Sequence, residues 1–131
     1  GLTKSQISML PQNIFGLLRT STVDELSQIY SDSDLFINPT LEDNFPTTNI
    51  EALACGTPVI TFPTGGSPEA VDSFTGVVTS SCEVGEIRSS INLIQSNPNR
   101  FSPTNCRKRA VALFDKNDRY HDYISLYKHL I

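Results

Sequence analysis

Between positions 39 and 60 the chain reads Pro39-Thr-Leu-Glu-Asp-Asn-Phe-Pro-Thr-Thr-Asn-Ile-Glu-Ala-Leu-Ala-Cys-Gly-Thr-Pro-Val-Ile60, and this stretch confines the fold more than any other. It carries the marks of a strand end, an acidic loop, a helix, a glycine turn and a second strand. Pro46 suits the first helical turn, where its missing N–H costs nothing and its φ is preset. Gly56 stops the helix, and Pro58 then opens the apolar run Pro58-Val-Ile-Thr-Phe62. A strand, a helix and a second strand joined by short turns make a βαβ unit, whose strands lie parallel.

The rest of the chain repeats that alternation. Thr3 is placed to cap a short helix through Leu10 that Pro11 ends. Asn13-Ile-Phe-Gly-Leu-Leu18 reads as a buried strand. Ser21 and Thr22 offer helix caps, with Asp24 and Glu25 in the first turn, and Val23, Leu26 and Tyr30 share one helical face. Asp34-Leu-Phe-Ile-Asn38 is the next strand, the helix spans Pro46 to Ala54, and Gly76-Val-Val-Thr79 is a short last strand. Three helices follow. Val84, Ile87, Ile91 and Ile94 form a stripe between Glu83 and Asn97; Ala110, Leu113 and Phe114 mark the second; Tyr120, Ile124, Tyr127 and Ile131 mark the third. The fold class is α/β, with a parallel sheet and right-handed crossovers.

Composition narrows the function. The 131 residues suffice for one domain; 38% are hydrophobic and 18% charged, as in a folded globular chain. Ten basic residues against 14 acidic ones give a net charge of -4, which argues against nucleic acid as a partner. The basic cluster Arg107-Lys108-Arg109 reads as a solvated helix face. No apolar run approaches the ~20 residues of a membrane span, and no signal peptide is recognisable. Cys55, Cys82 and Cys106 are scattered, which fits reduced thiols in the cytosol. His121 and His129 have no partners at metal-ligand spacing, so no metal site is expected. The chain opens Gly1-Leu2 without an initiator Met and is expected to be a piece of something longer.

Chemistry concentrates at the start of the 46–54 helix. Its first backbone N–H groups, around Phe45 to Asn49, form an anion site suited to phosphate. Ile50, Leu53 and Ala54 face the core, while Thr47, Glu51 and Cys55 share another face, which sets Glu51 beside the anion site. Asp43 lies eight positions before Glu51, in the loop after the strand. A phosphate cradle with two carboxylates suits a nucleoside diphosphate joined to a sugar, whose hydroxyls the carboxylates accept. Equally, acids near a helix N-terminus are favourable without any ligand.

These residues also carry a resemblance. Asp34-Leu-Phe-Ile-Asn-Pro-Thr40 and Glu51-Ala-Leu-Ala-Cys-Gly-Thr-Pro-Val-Ile60 resemble the donor-binding, C-terminal half of GT-B glycosyltransferases, the retaining family called glycosyl transferases group 1. That family shows a strand ending in Pro-Ser/Thr, an acid, seven residues, a Glu and a run like Ala-Leu-Ala-Cys-Gly-Thr-Pro-Val-Ile. Thr64-Gly-Gly-Ser-Pro-Glu69 resembles its next glycine-rich loop, Asp24-Glu-Leu-Ser-Gln-Ile-Tyr30 its preceding helix, and Thr75-Gly-Val-Val78 its last strand. The likeness covers roughly residues 13 to 97, and Glu42-Asp-Asn-Phe-Pro46 is similar to enzymes of bacterial surface polysaccharide assembly.

The resemblance implies a Rossmann-like parallel sheet with flanking helices, and transfer of a sugar from a nucleoside-diphosphate sugar to an acceptor hydroxyl, with no metal or other cofactor. It assigns Asp43 to the donor sugar near the reacting carbon and Glu51 to the ribose hydroxyls. Glu42, Asn44, Phe45, Thr47 and Thr48 lie around phosphate and sugar oxygens, and Gly65 and Gly66 either admit the nucleotide or make a plain tight turn. The family's first acid is usually Glu, so Glu42 competes with Asp43 for that role. The family's first two strands, with an Arg and a Lys on the diphosphate, have no counterpart here. Residues 1–131 are accordingly expected to form a single partial domain that lacks those strands and the N-terminal acceptor domain, inactive alone. Its partners would be the nucleotide-sugar donor and, through the absent domain, a carbohydrate or lipid-linked saccharide acceptor. The expected location is cytoplasmic, with peripheral attachment at the inner membrane face left open. Without the first strands, the Asn13 strand is expected to pair directly with the Asp34 strand, or a second copy to cover that edge. Two other readings stand beside transfer: a nucleotide-sugar epimerase of the same architecture, and a non-catalytic GT-B-like scaffold or interaction domain.

Overall fold

A computed structural model describes residues 1–130. The element order is α1 (Lys4–Ser8), α2 (Val23–Ser31), β1 (Phe36–Asn38), α3 (Thr47–Ala54), β2 (Val59–Thr61), a 3-10 turn (Ser67–Ala70), β3 (Gly76–Val78), α4 (Val84–Gln95), α5 (Pro103–Phe114) and α6 (Lys116–Leu130). The three strands form one parallel sheet in the order β1-β2-β3, with Phe36 opposite Val59 and Val59 opposite Gly76. The α/β class with flanking helices is as the alternation requires.

Strand residues alternate between two cores. Phe36, Val59 and Val78 pack with Tyr30, Leu53, Ala70 and Cys106, on the side of the sheet that carries α2, α3 and α5. Ile37, Ile60 and Val77 pack with Ile91, Ile94 and Phe101, on the side that carries α4. Both faces of the sheet are therefore covered, which is why the strands read as apolar runs.

Local signals set most helix ends. Thr3 caps α1 in a capping box with Gln6. Thr22 caps α2 by accepting the Glu25 N–H, and the Glu25 carboxylate accepts the Ser21 N–H at 2.7 Å. Pro46 is the N-cap of α3 rather than its first helical residue, with φ −72° and ψ 109°. At the other end Gly56 adopts φ +88°; its N–H donates to Leu53 O at 3.0 Å and that of Thr57 to Ala52 O at 2.9 Å. This is a Schellman turn, and it sends the chain straight into β2.

Three expectations need correcting. Residues 13–18 form no strand: Phe15 is 91% exposed, and β1 pairs only with β2, so the expected pairing with the Asp34 strand does not occur. The segment closes on itself instead, with Ile14 N–H donating to Pro11 O and Leu2 N–H to Leu17 O. A strand needs a ladder partner for its backbone groups, and apolar composition does not provide one. Secondly, the core face of α3 is wider than Ile50, Leu53 and Ala54: Asn49 and Ala52 are buried along with Leu53, and Ile50 and Ala54 pack half-buried against the same core. Thirdly, the basic cluster is not a uniformly solvated face. Arg107 donates to Ala54 O, and Arg109 donates to Glu69 O, Ala70 O and the Asp72 carboxylate.

α6 exposes Tyr120, Tyr123, Ile124 and Tyr127. Ile131, expected to complete its stripe, lies outside the described residues. Among these residues no helix is long and apolar enough to cross a membrane.

Candidate functional site

The loops that leave β1 and β2 meet beside the start of α3, at the carboxyl ends of the strands where ligands of open α/β sheets bind. Side chains and backbone stitch them together. Thr61 Oγ1 donates to Asn38 O at 3.1 Å, Thr64 Oγ1 donates to Thr40 O at 2.8 Å, and Gly66 N–H donates to Asn44 O at 2.9 Å.

Asp43 shapes this junction. Its Oδ1 accepts the Phe45 N–H at 3.0 Å, which turns the loop toward α3. Gly65, at φ +50°, lies against the Asp43 carbonyl so closely that a Cβ would collide with it. A Cβ on Gly66 would meet Asn44 O and, at 2.8 Å, the Phe45 ring. The close approach these two glycines permit is therefore between the two loops of the protein itself. Glu42 is exposed, and its backbone carbonyl accepts the Thr40 hydroxyl at 3.1 Å.

Not all the amides expected at the helix start are available. Asp43 takes the Phe45 N–H, and the Asn49 N–H donates to Pro46 O at 3.2 Å. The Thr47 and Thr48 amides, in the exposed first turn of α3, have no intrahelical acceptor. Of the amides expected to meet an anion, these two are left without an acceptor inside the helix.

Behind the first turn lies a polar core that the sequence pattern did not point to. Asn49 is fully buried; its Oδ1 accepts the Asn38 Nδ2–H at 2.9 Å, and its Nδ2 donates to Ser67 O at 3.4 Å. One buried amide thus ties the end of β1, the start of α3 and the 3-10 turn. The Ser67 Oγ is buried without a hydrogen-bond partner. An Asn in a helix is commonplace, so nothing short of the packing marks it.

Glu51 stands on a different side of α3. It is half-buried in a groove of about 300 Å³ between α2 and α3, lined also by Val23, Leu26, Tyr30, Ala54 and Cys55. Tyr30 Oη donates to Glu51 Oε2 at 3.4 Å. Burial, reinforced by the Glu51 carboxylate, pushes the Tyr30 hydroxyl up to about 12, so it remains a donor through the neutral range. The fold gathers Asp43, Asn44, Phe45, Gly65 and Gly66 at one junction with Thr47 and Thr48 beside it, and sets Glu51 one helical turn further along α3. A wider groove of about 970 Å³, lined by residues of α2, α5 and the end of α3, includes none of the predicted site residues.

Comparison with known proteins supplies the family. The profile of the family described as glycosyl transferases group 1 matches residues 4–112. The chain is 34% identical over 89 residues to D-inositol 3-phosphate glycosyltransferase of Mycobacterium sp. (strain KMS), covering 67% of this chain and 19% of that one. Sucrose-phosphate synthase from Thermosynechococcus elongatus superposes with a TM-score of 0.70 at 30% identity, over 78% of this chain and 26% of that one. Anabaena HepE in complex with UDP gives a TM-score of 0.66 at 26% identity, over 75% of this chain and 29% of that one. The chain thus spans about a fifth of the length of the curated relatives it matches.

Proposed function

The chain belongs to the glycosyl transferases group 1 family, with its Rossmann-like GT-B fold, and we propose that it is the donor-binding part of a retaining glycosyltransferase. The observation that carries this reading is the family match over residues 4–112, which includes the junction of Asp43 with the start of α3 and Glu51 further along it. The donor is a nucleoside-diphosphate sugar, a class supported by the UDP bound to HepE. Its diphosphate lies at the Thr47 and Thr48 amides, its ribose at Glu51 and its sugar near Asp43. The acceptor oxygen bonds to the anomeric carbon as the bond to the diphosphate breaks, and the hydroxyl proton passes to the departing diphosphate. Fixed amide dipoles at the leaving phosphate favour that charge without a metal, so EDTA should leave donor binding unchanged.

The acceptor is proposed to be a saccharide hydroxyl in surface polysaccharide assembly, on the strength of Glu42-Asp-Asn-Phe-Pro46. It reaches the donor from a second domain, so the 131 residues alone should show no turnover with labelled donor sugars. Calorimetry of UDP, GDP and ADP on the full-length protein tests the reading. Glu51→Gln should weaken the nucleotide that binds by about 1.5–3 kcal/mol and leave folding nearly unchanged. Binding of none of the three would favour a scaffold domain instead.

A further inference from the structure

Tyr30 belongs to none of the loops around the candidate site, yet it touches Glu51. It is 7% exposed at the end of α2, and two contacts fix it independently of Glu51. Its ring meets Phe36 of β1 edge-on, with centroids 5.3 Å apart and planes at 88°. Its backbone carbonyl accepts the Thr57 Oγ1–H at 2.5 Å, just past the turn that ends α3. Its hydroxyl is then left facing Glu51 Oε2 at 3.4 Å across the α2–α3 groove.

We infer that Tyr30 is a positioning residue for the Glu51 carboxylate, holding one oxygen so that the rest of the carboxylate meets a vicinal diol of the nucleotide ribose. The inference rests on the proposed nucleotide binding. An ionised carboxylate offers about four acceptor sites. One hydrogen bond from Tyr30 leaves enough for two ribose hydroxyls, and it removes rotamers the flexible Glu side chain would otherwise lose on binding. A tyrosine suits this task because its hydroxyl sits on a rigid ring that the core already holds. Only the hydroxyl is at issue. Phenylalanine keeps the ring, the Phe36 contact and the backbone bond to Thr57.

The test is calorimetry on the full-length protein with UDP and with 2′,3′-dideoxy-UDP, which lacks the diol. Tyr30→Phe should weaken UDP binding about 3- to 10-fold, leave dideoxy-UDP binding unchanged, and add nothing when combined with Glu51→Gln. Thermal melting of Tyr30→Phe should match the unaltered protein. If UDP affinity falls in Glu51→Gln but not in Tyr30→Phe, the positioning role is overturned while the nucleotide site stands. An equal loss for both ligands in Tyr30→Phe also overturns it, since a packing disturbance would not distinguish them. Indifference of UDP to Glu51→Gln, or binding of none of UDP, GDP and ADP by the unaltered protein, removes the nucleotide reading on which the inference rests; where GDP or ADP binds in place of UDP, that nucleotide and its 2′,3′-dideoxy form replace UDP in the test.

Discussion

Arg109 on α5 holds Asp72 through a 2.8 Å ion pair between positions 37 residues apart in sequence. The same guanidinium donates to Ala70 O at 2.7 Å and Glu69 O at 3.0 Å, so it closes the end of the 3-10 turn whose start is held by Asn49. Asp72 is further engaged by the Phe74 N–H at 2.9 Å and the Thr75 hydroxyl at 3.0 Å.

Arg109→Met should therefore destabilise the chain by about 1–3 kcal/mol, mostly through the carbonyls left without a donor. The half-exposed ion pair itself contributes less. Urea denaturation at pH 7 measures the loss.

The same pair sets a pH dependence. Burial pushes the Asp72 carboxyl up, but the Phe74 N–H, the Thr75 hydroxyl and Arg109 outweigh burial and hold it below its usual value. The unfolded chain then binds the proton first as pH falls, so this stabilisation is complete above about pH 4 and is lost below it as Asp72 protonates in the folded state. In Arg109→Met the fall in stability on acidification should be shallower. An identical acid profile in the two proteins would show that the guanidinium is not what lowers the carboxyl.

Gly65→Ala should destabilise by roughly 1–3 kcal/mol, since the position combines φ +50° with contact on the Asp43 carbonyl. Gly85→Ala in α4, where a Cβ meets nothing within 4 Å, should instead stabilise by about 0.5–1 kcal/mol. Melting temperatures of the two variants should move in opposite directions.

If the Asp43 carboxylate has the proposed place near the reacting carbon, Asp43→Asn in the full-length protein should lower kcat with a modest change in KM. Glu42→Gln run in parallel decides between the adjacent acids. Sensitivity at Glu42 alone would place the functional acid one residue earlier.

The thiols should react in an order set by burial. Cys82 is exposed, Cys55 half-buried and Cys106 buried, with burial pushing the Cys106 thiol up to about 11. Iodoacetamide at pH 8 should label Cys82 first, and Cys106 only after unfolding.

The sequence by itself determined the pieces whose causes are local. Thr3 and Thr22 start their helices and Gly56 stops its own through bonds to residues within five positions, so their identities suffice. The run from Glu51 to Ile60 fixed α3, its turn and β2, and through them the family. Tertiary structure decided what depends on a partner distant in the chain. Residues 13–18 are apolar enough for a strand, but no neighbouring strand supplies the other half of a ladder. Arg109 reads as a surface charge until Asp72 and the carbonyls of the 3-10 turn come beside it. Asn49 and Tyr30 look like an ordinary helical amide and a core aromatic; one joins β1 to the 3-10 turn, the other reaches Glu51. A buried polar group is satisfied wherever the packed chain brings a partner, and that meeting is a property of the whole fold.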